Sequence, residues 1–106
     1  METKNELIEE IEDKLKFLDL QKTLNTKFQK ALENINESYK LKIESRMIED
    51  PFEVYWQITI NNSLKMVISQ THLSDNKNIV DSYGSPTGAE KNLDVNILEL
   101  INMRIR

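Results

Sequence analysis

Residues 52–73 read FEVYWQITINNSLKMVISQTHL, and this stretch decides the fold. Val54, Trp56, Ile58 and Ile60 alternate with Glu53, Tyr55, Gln57 and Thr59, the period of two that sends successive side chains to opposite faces of a strand. Asn61-Asn62-Ser63 follows, residues that tolerate positive φ and so suit a tight turn. The return run sets Leu64, Met66 and Ile68 at one parity against Lys65, Val67, Ser69 and Thr71 at the other. The reading is a β-hairpin, Phe52 to Asn61 and Leu64 to Leu73, with one apolar and one largely polar face.

Upstream of the hairpin, Tyr39, Leu41 and Ile43 alternate with Lys40, Lys42 and Glu44, which predicts a third strand. A helix continued through Met47 is the competing reading. Either ends at Ile48-Glu49-Asp50-Pro51, because proline fixes its own φ and pushes Asp50 out of the helical region. Three strands, each apolar on one side only, make an antiparallel meander covered on one face and wet on the other.

From Asn5 to about Ile35 the apolar spacing is helical, in two groups: Ile8, Ile11, Leu15, Leu18, then Leu24, Phe28, Ala31, Leu32, Ile35. The stripe loses phase between them, since its continuation from Leu18 would fall on Lys22 and Asn25. Two readings fit. Thr23, Asn25 and Thr26 are mediocre helix formers, and Thr26 with Gln29 has capping-box spacing, which suits a break near residue 22. A single helix whose apolar seam shifts, as at a coiled-coil stutter, suits the pattern equally.

Downstream, residues 74–86 are polar apart from Ile79 and Val80 and predict a long loop, with a short edge strand around Ile79 to Tyr83. Thr87 and Glu90 have the spacing of a capping box, and Leu93, Ile97, Leu100, Ile101 and Arg104 share a helical face, so a last helix is expected to about Met103. Arg104 and Arg106 sit where cations favour a helix C-terminus.

The expected fold is therefore a single α+β domain over residues 1–106: an N-terminal helix or helical hairpin, a three-stranded antiparallel meander and a C-terminal helix, packed in two layers. Length carries a consequence for association. One helix over residues 5–35 would measure about 45 Å against about 30 Å for a nine-residue strand, so its excess would need a partner. A break would let both halves fold onto one sheet.

The 106 residues suffice for one modest core, and 39% hydrophobic with 30% charged residues is ordinary for a globular chain. No cysteine is present, which excludes disulfides, a thiolate nucleophile and cysteine-ligated zinc, and suits the cytoplasm. No signal-peptide pattern or long apolar run occurs, so a membrane span is not expected. A net charge of -4 disfavours broad attraction to nucleic acid or anionic lipid. Two glycines and many Lys, Asn, Ile and Glu residues fit an AT-rich bacterial or phage genome.

No catalytic constellation assembles from spacing. His72, the single histidine, has Asp75 as its nearest carboxylate, and its parity places it at the end of the apolar strand face. Residues 84–91 superficially resemble a phosphate loop, yet Ala89 holds the second glycine position, Glu90 precedes Lys91, and Asn92 replaces the magnesium-binding hydroxyl. Glu6, Glu9, Glu10, Glu12 and Asp13 read as a solvated helix face rather than a metal cluster. Lys40, Lys42, Arg46 and Lys65 beside Tyr55 have the ingredients of a nucleic-acid platform, diluted by Glu44 and Glu53 and lacking an RNA-binding motif. Trp56 shares the parity of the core residues and is expected inside.

The expectation is a non-enzymatic protein-binding module, of the kind represented by small regulators, inhibitors, antitoxins or immunity proteins, with no cofactor or metal. Candidate contacts are Leu24 and Phe28 on the helix and Tyr55 and Lys65 on the polar sheet face, and a homodimer through the helix is one form the association could take. The alternative is a small-ligand or nucleotide binder using residues 75–91, with Tyr83, Thr87 and Lys91 as contacts.

Overall fold

The computed structural model describes residues 4–48, 50 and 53–105. Its elements are α1 (Lys4–Tyr39), β1 (Ile43–Ile48), β2 (Tyr55–Ile60), β3 (Leu64–Ser69), α2 (Gln70–Asp75), β4 (Asn78–Val80), β5 (Pro86–Glu90) and α3 (Leu93–Ile105). The α+β class and the three-stranded meander β1-β2-β3 match the sequence reading, with all neighbours antiparallel. Glu49 and Pro51 of the turn at residues 48–51, the strand start at Phe52 and the terminal Arg106 lie outside the described residues.

The hairpin forms by the expected chemistry. Asn61 and Asn62 take φ of 50° and 59°, and the Ser63 amide donates to the Ile60 carbonyl at 3.1 Å. The Asn61 amide donates to the Lys42 carbonyl at 2.8 Å, and the Lys42 amide donates to Asn61 Oδ1 at 2.9 Å, so the turn also ties down the approach to β1. In register, Met47, Trp56 and Ile68 form one inward row, and Ser45, Ile58 and Met66 the next. In the third row Ile43 is buried, Ile60 half-buried and Leu64 exposed. The helical cover thus fades toward β3 at the hairpin tip, and Leu64, expected in the core floor, meets solvent instead.

α1 is one helix of 36 residues, which settles the question of a break. The Thr23 and Thr26 hydroxyls donate to the carbonyls of Asp19 and Lys22, four residues back, so these poor helix formers bond within the helix rather than interrupt it. It also runs past Ile35 to Tyr39, where Lys40 at φ 53° ends it in the left-handed region. Tyr39 is therefore helical, and the first strand begins at Ile43. Asn36 in the last turn clamps that start, its side chain donating to the Ile43 carbonyl at 3.1 Å and accepting from the Ile43 amide at 2.9 Å.

Three further expectations are corrected. The return strand ends at Ser69 rather than Leu73, because Ser69 Oγ accepts from the His72 amide and His72 Nδ1 accepts from the Ser69 amide, a reciprocal cap that starts α2. Thr71 leaves the sheet with it, its amide and hydroxyl both donating to the Glu53 carboxylate. The long loop is a two-stranded ribbon, β4 with β5, and Thr87 to Glu90 belong to β5 rather than to a helix start. Gly88 at φ 84° accompanies the register shift between Asn78 and Val80.

The core lies between the sheet and the C-terminal half of α1 with α3. It comprises Phe28, Ala31, Leu32 and Ile35 of α1, Ile43, Val54, Trp56, Ile58 and Ile68 from the sheet region, Leu73 of α2, and Ile97 and Ile101 of α3. Trp56 is inside as expected, 1% exposed. Its Nε1 donates to Asn25 Oδ1 at 3.1 Å, and Gln29 Nε2 donates both to that oxygen at 3.2 Å and to Ser45 Oγ at 2.6 Å. A polar chain therefore joins helix to sheet along one edge of an otherwise apolar contact.

Candidate functional site

The first buried residue of α1 is Gln21, so the helix carries residues 4–20 ahead of the core, an overhang of about 25 Å at 1.5 Å per residue. This overhang is not polar all round. Ile11 is 60% and Leu15 55% exposed, and Leu7, Ile8 and Leu20 are exposed to a similar degree, with Leu18 half-buried. The direction of this apolar surface follows from helix geometry. At 100° per residue, Leu7, Ile8, Ile11, Leu15 and Leu18 centre about 120° away around the helix from Phe28, Ala31, Leu32 and Ile35, which pack on the sheet. Lengthening the sheet would not cover them.

On the overhang, the face in line with the core-packing stripe carries Glu6, Glu10 and Asp13, with Glu9 beside them. Phe17 lies on that face too, half-buried, with the Lys14 ammonium 5.5 Å from its ring centroid. The apolar stripe has opposite flanks of opposite sign, Lys14 on one side and Glu12 with Asp19 on the other. Residues 4–20 hold six acidic and three basic side chains, a balance unsuited to an anionic lipid surface.

The residues expected to meet a partner are separated by the fold. Phe28 is 1% exposed and stacked on Trp56, so it serves the core and is unreachable while the domain is folded. Leu24 is half-buried and lines a cleft. Tyr55 and Lys65 do share the outer sheet face, in the rows Ile48–Tyr55–Ser69 and Glu44–Thr59–Lys65. Between those rows lies Arg46–Gln57–Val67, so the face mixes charges and an exposed valine, and Lys42 pairs with Glu44 at 3.5 Å. Lys40 follows the last residue of α1 and is not part of the paired rows that form this face.

The alternative ligand contacts also part company. Tyr83 is 92% exposed at the ribbon tip, where the amides of Tyr83 and Ser85 donate to Asp81 Oδ1 and Gly84 takes φ 82°. Thr87 Oγ1 donates to the Ile79 carbonyl across the ribbon, and its place in a strand removes the free helix amides expected beside it. Lys91 alone reaches a concavity, a cleft of about 240 Å³ floored by Leu24, Phe28, Trp56, Leu73 and Leu93. Lys27 and Lys77 share its margin, while Lys91 Nζ is held by Asn76 Oδ1 and the Glu99 carboxylate, both at 3.2 Å.

His72 is part of the α2 cap, with the Arg104 guanidinium 3.4 Å from its Nδ1. Among the described residues the groups that meet its ring are the Ser69 amide and the Arg104 guanidinium, so the expected His72–Asp75 pairing does not form. Among the described residues no group of three or more histidine and carboxylate side chains is placed to hold a metal ion, and no helix is long and apolar enough to cross a membrane.

The stripe Ile8, Ile11, Leu15, Leu18 was legible as helix; its exposure was not. The phase loss after Leu18 was the signal, and it acquires meaning only once α1 is known to be continuous. No protein family, curated protein or solved structure matches the chain.

Proposed function

We propose that the chain is a non-enzymatic protein-binding module whose contact surface is the projecting half of α1, with Ile8, Ile11, Leu15 and Leu18 at its centre. One observation carries this reading: a continuous helix holds large apolar side chains in water, on a face that the fold's own sheet cannot reach. An amphipathic helix laid against an apolar groove or another helix is a common mode of protein recognition. Its entropic cost is lowered here because the docked C-terminal half already nucleates the helix. Regulators and inhibitors act by such contacts, and no reacting groups are needed.

Affinity capture from native extract with wild-type protein and with Leu15→Asp tests the reading. Recovery of a partner by the wild type and its loss with the variant is expected, while Tyr55→Ala retains it. Equal recovery by Leu15→Asp would move the contact elsewhere.

A second reading rests on the cleft. Its apolar floor, with Lys27 at the margin and with Lys77 and Lys91 paired there to Glu90 and Glu99, suits a small molecule with an apolar body and an anionic group that competes with those carboxylates. A thermal-shift panel of aromatic and aliphatic carboxylates and nucleotides tests it, since ligand at 100 times its dissociation constant adds about 2.7 kcal/mol. A flat panel removes this reading.

A further inference from the structure

Resting on the protein-binding reading above, we infer that the partner of the α1 stripe is a second copy of this chain, bound as a parallel two-stranded coiled coil over residues 7–20. Ile8, Ile11, Leu15 and Leu18 are spaced three, four and three residues apart, the a and d positions of two heptads. Such a seam is self-complementary, because each of its layers meets its own copy across a twofold axis.

The seam stops where the folded body begins. Its next positions are Lys22, Asn25 and Gln29, and the last two are committed to Trp56 and Ser45 of their own chain. The body packs on a face about 120° from the seam, so two bodies at the same end lie to the outside of the helix pair rather than between the helices.

Charge selects the direction. Lys14 is a g position, and Glu12 and Asp19 are e positions. In a parallel pair, each Lys14 faces the Asp19 of the other copy, g to the following e, twice by symmetry. An antiparallel pair sets each flank against its own kind, Lys14 toward Lys14 and the acidic flank toward the acidic flank. The acidic residues Glu6, Glu9, Glu10 and Asp13 lie on the far side of each helix and stay apart in the parallel form.

The experiment is sedimentation equilibrium on the full chain, with a cysteine reporter for direction. Wild type is expected to approach twice its 12.5 kDa at high micromolar concentration, and Leu15→Asp to remain at 12.5 kDa with an unchanged circular dichroism spectrum. Lys14→Glu weakens the dimer roughly 3- to 30-fold, two exposed ion pairs being replaced by repulsions, and the swap Lys14→Glu with Asp19→Lys restores it. The chain has no cysteine, so Ile8→Cys reports cleanly. In the parallel form it meets its own copy and forms an intermolecular disulfide under mild oxidation; in the antiparallel form it lies opposite Leu18 and does not.

A wild type that stays monomeric overturns the self-association, as does a dimer untouched by Leu15→Asp; a dimer without the Ile8→Cys cross-link overturns the parallel arrangement. Co-sedimentation of the monomer with phosphatidylcholine vesicles would assign the stripe to lipid and overturn the inference. A monomer that captures another protein through Leu15 leaves the protein-binding reading standing while removing this one. A monomer that loses nothing with Leu15→Asp removes both.

Discussion

The Phe28 ring lies flat on Trp56, centroids 4.3 Å apart and planes 6° from parallel, and this stack is the joint between α1 and the sheet. Both residues are 1% exposed, so the contact is dry, and an aromatic pair of this kind adds about 0.5–1.5 kcal/mol beyond the burial of its area. From Gln21 onward the helix is held by the folded body, and ahead of Gln21 it projects from it.

Truncation at the joint should be severe. Phe28→Ala removes a fully buried ring and leaves a void against the single tryptophan, a loss of about 3–5 kcal/mol by urea denaturation. Tryptophan emission should shift to the red in the native state. A loss below about 1 kcal/mol would show that the ring does not carry the joint.

Asn25→Ala tests the polar side of the same contact. It leaves Trp56 Nε1 without its acceptor and deprives Gln29 of one of its two, so about 1–3 kcal/mol of stability should be lost although little apolar volume changes. Unchanged stability would mean that solvent replaces Asn25 at the indole.

The cap of α2 is local and should respond locally. Ser69→Ala removes the oxygen that accepts the His72 amide, costing about 1 kcal/mol. Nuclear magnetic resonance Cα shifts of residues 70–75 should move toward coil values while those of β2 hold. Persistence of the helical shifts would assign the strand end to the Gln70 amide, which donates to the Val54 carbonyl at 2.9 Å.

Hydrogen exchange should divide α1 into two halves. In dilute protein, amides of residues 8–16 should exchange on the order of tenfold or more faster than those of residues 28–35, because only the latter are covered by the core. Protection of residues 8–16 should rise with protein concentration. Uniform protection across α1 at low concentration would contradict the division.

The meander was readable because strand alternation is a local property: Trp56, Ile58 and Ile68 face inward from parity alone, and Asn61-Asn62 announces its own positive φ. Elements decided by distant pairing were misread. Thr87 and Glu90 have capping-box spacing, yet the chain around them pairs with β4, and a backbone ladder overrides a local cap signal. Ser69 does start a helix, but its reciprocal partner is His72, where the familiar pattern has Glu or Gln.

The sequence by itself determined that two apolar stripes run along the N-terminal segment and that they differ in phase, since spacing alone sets angle on a helix. It did not determine which stripe is inside. Ile11 and Phe28 are both large apolar residues at helical spacing, and nothing local distinguishes them. Only the tertiary structure decided, through two facts: α1 does not bend at Thr23 to Thr26, and the stripe of Ile11 lies about 120° around the helix from the stripe of Phe28 that packs on the sheet. Burial is a relation between segments, and a straight helix cannot turn two faces toward one sheet.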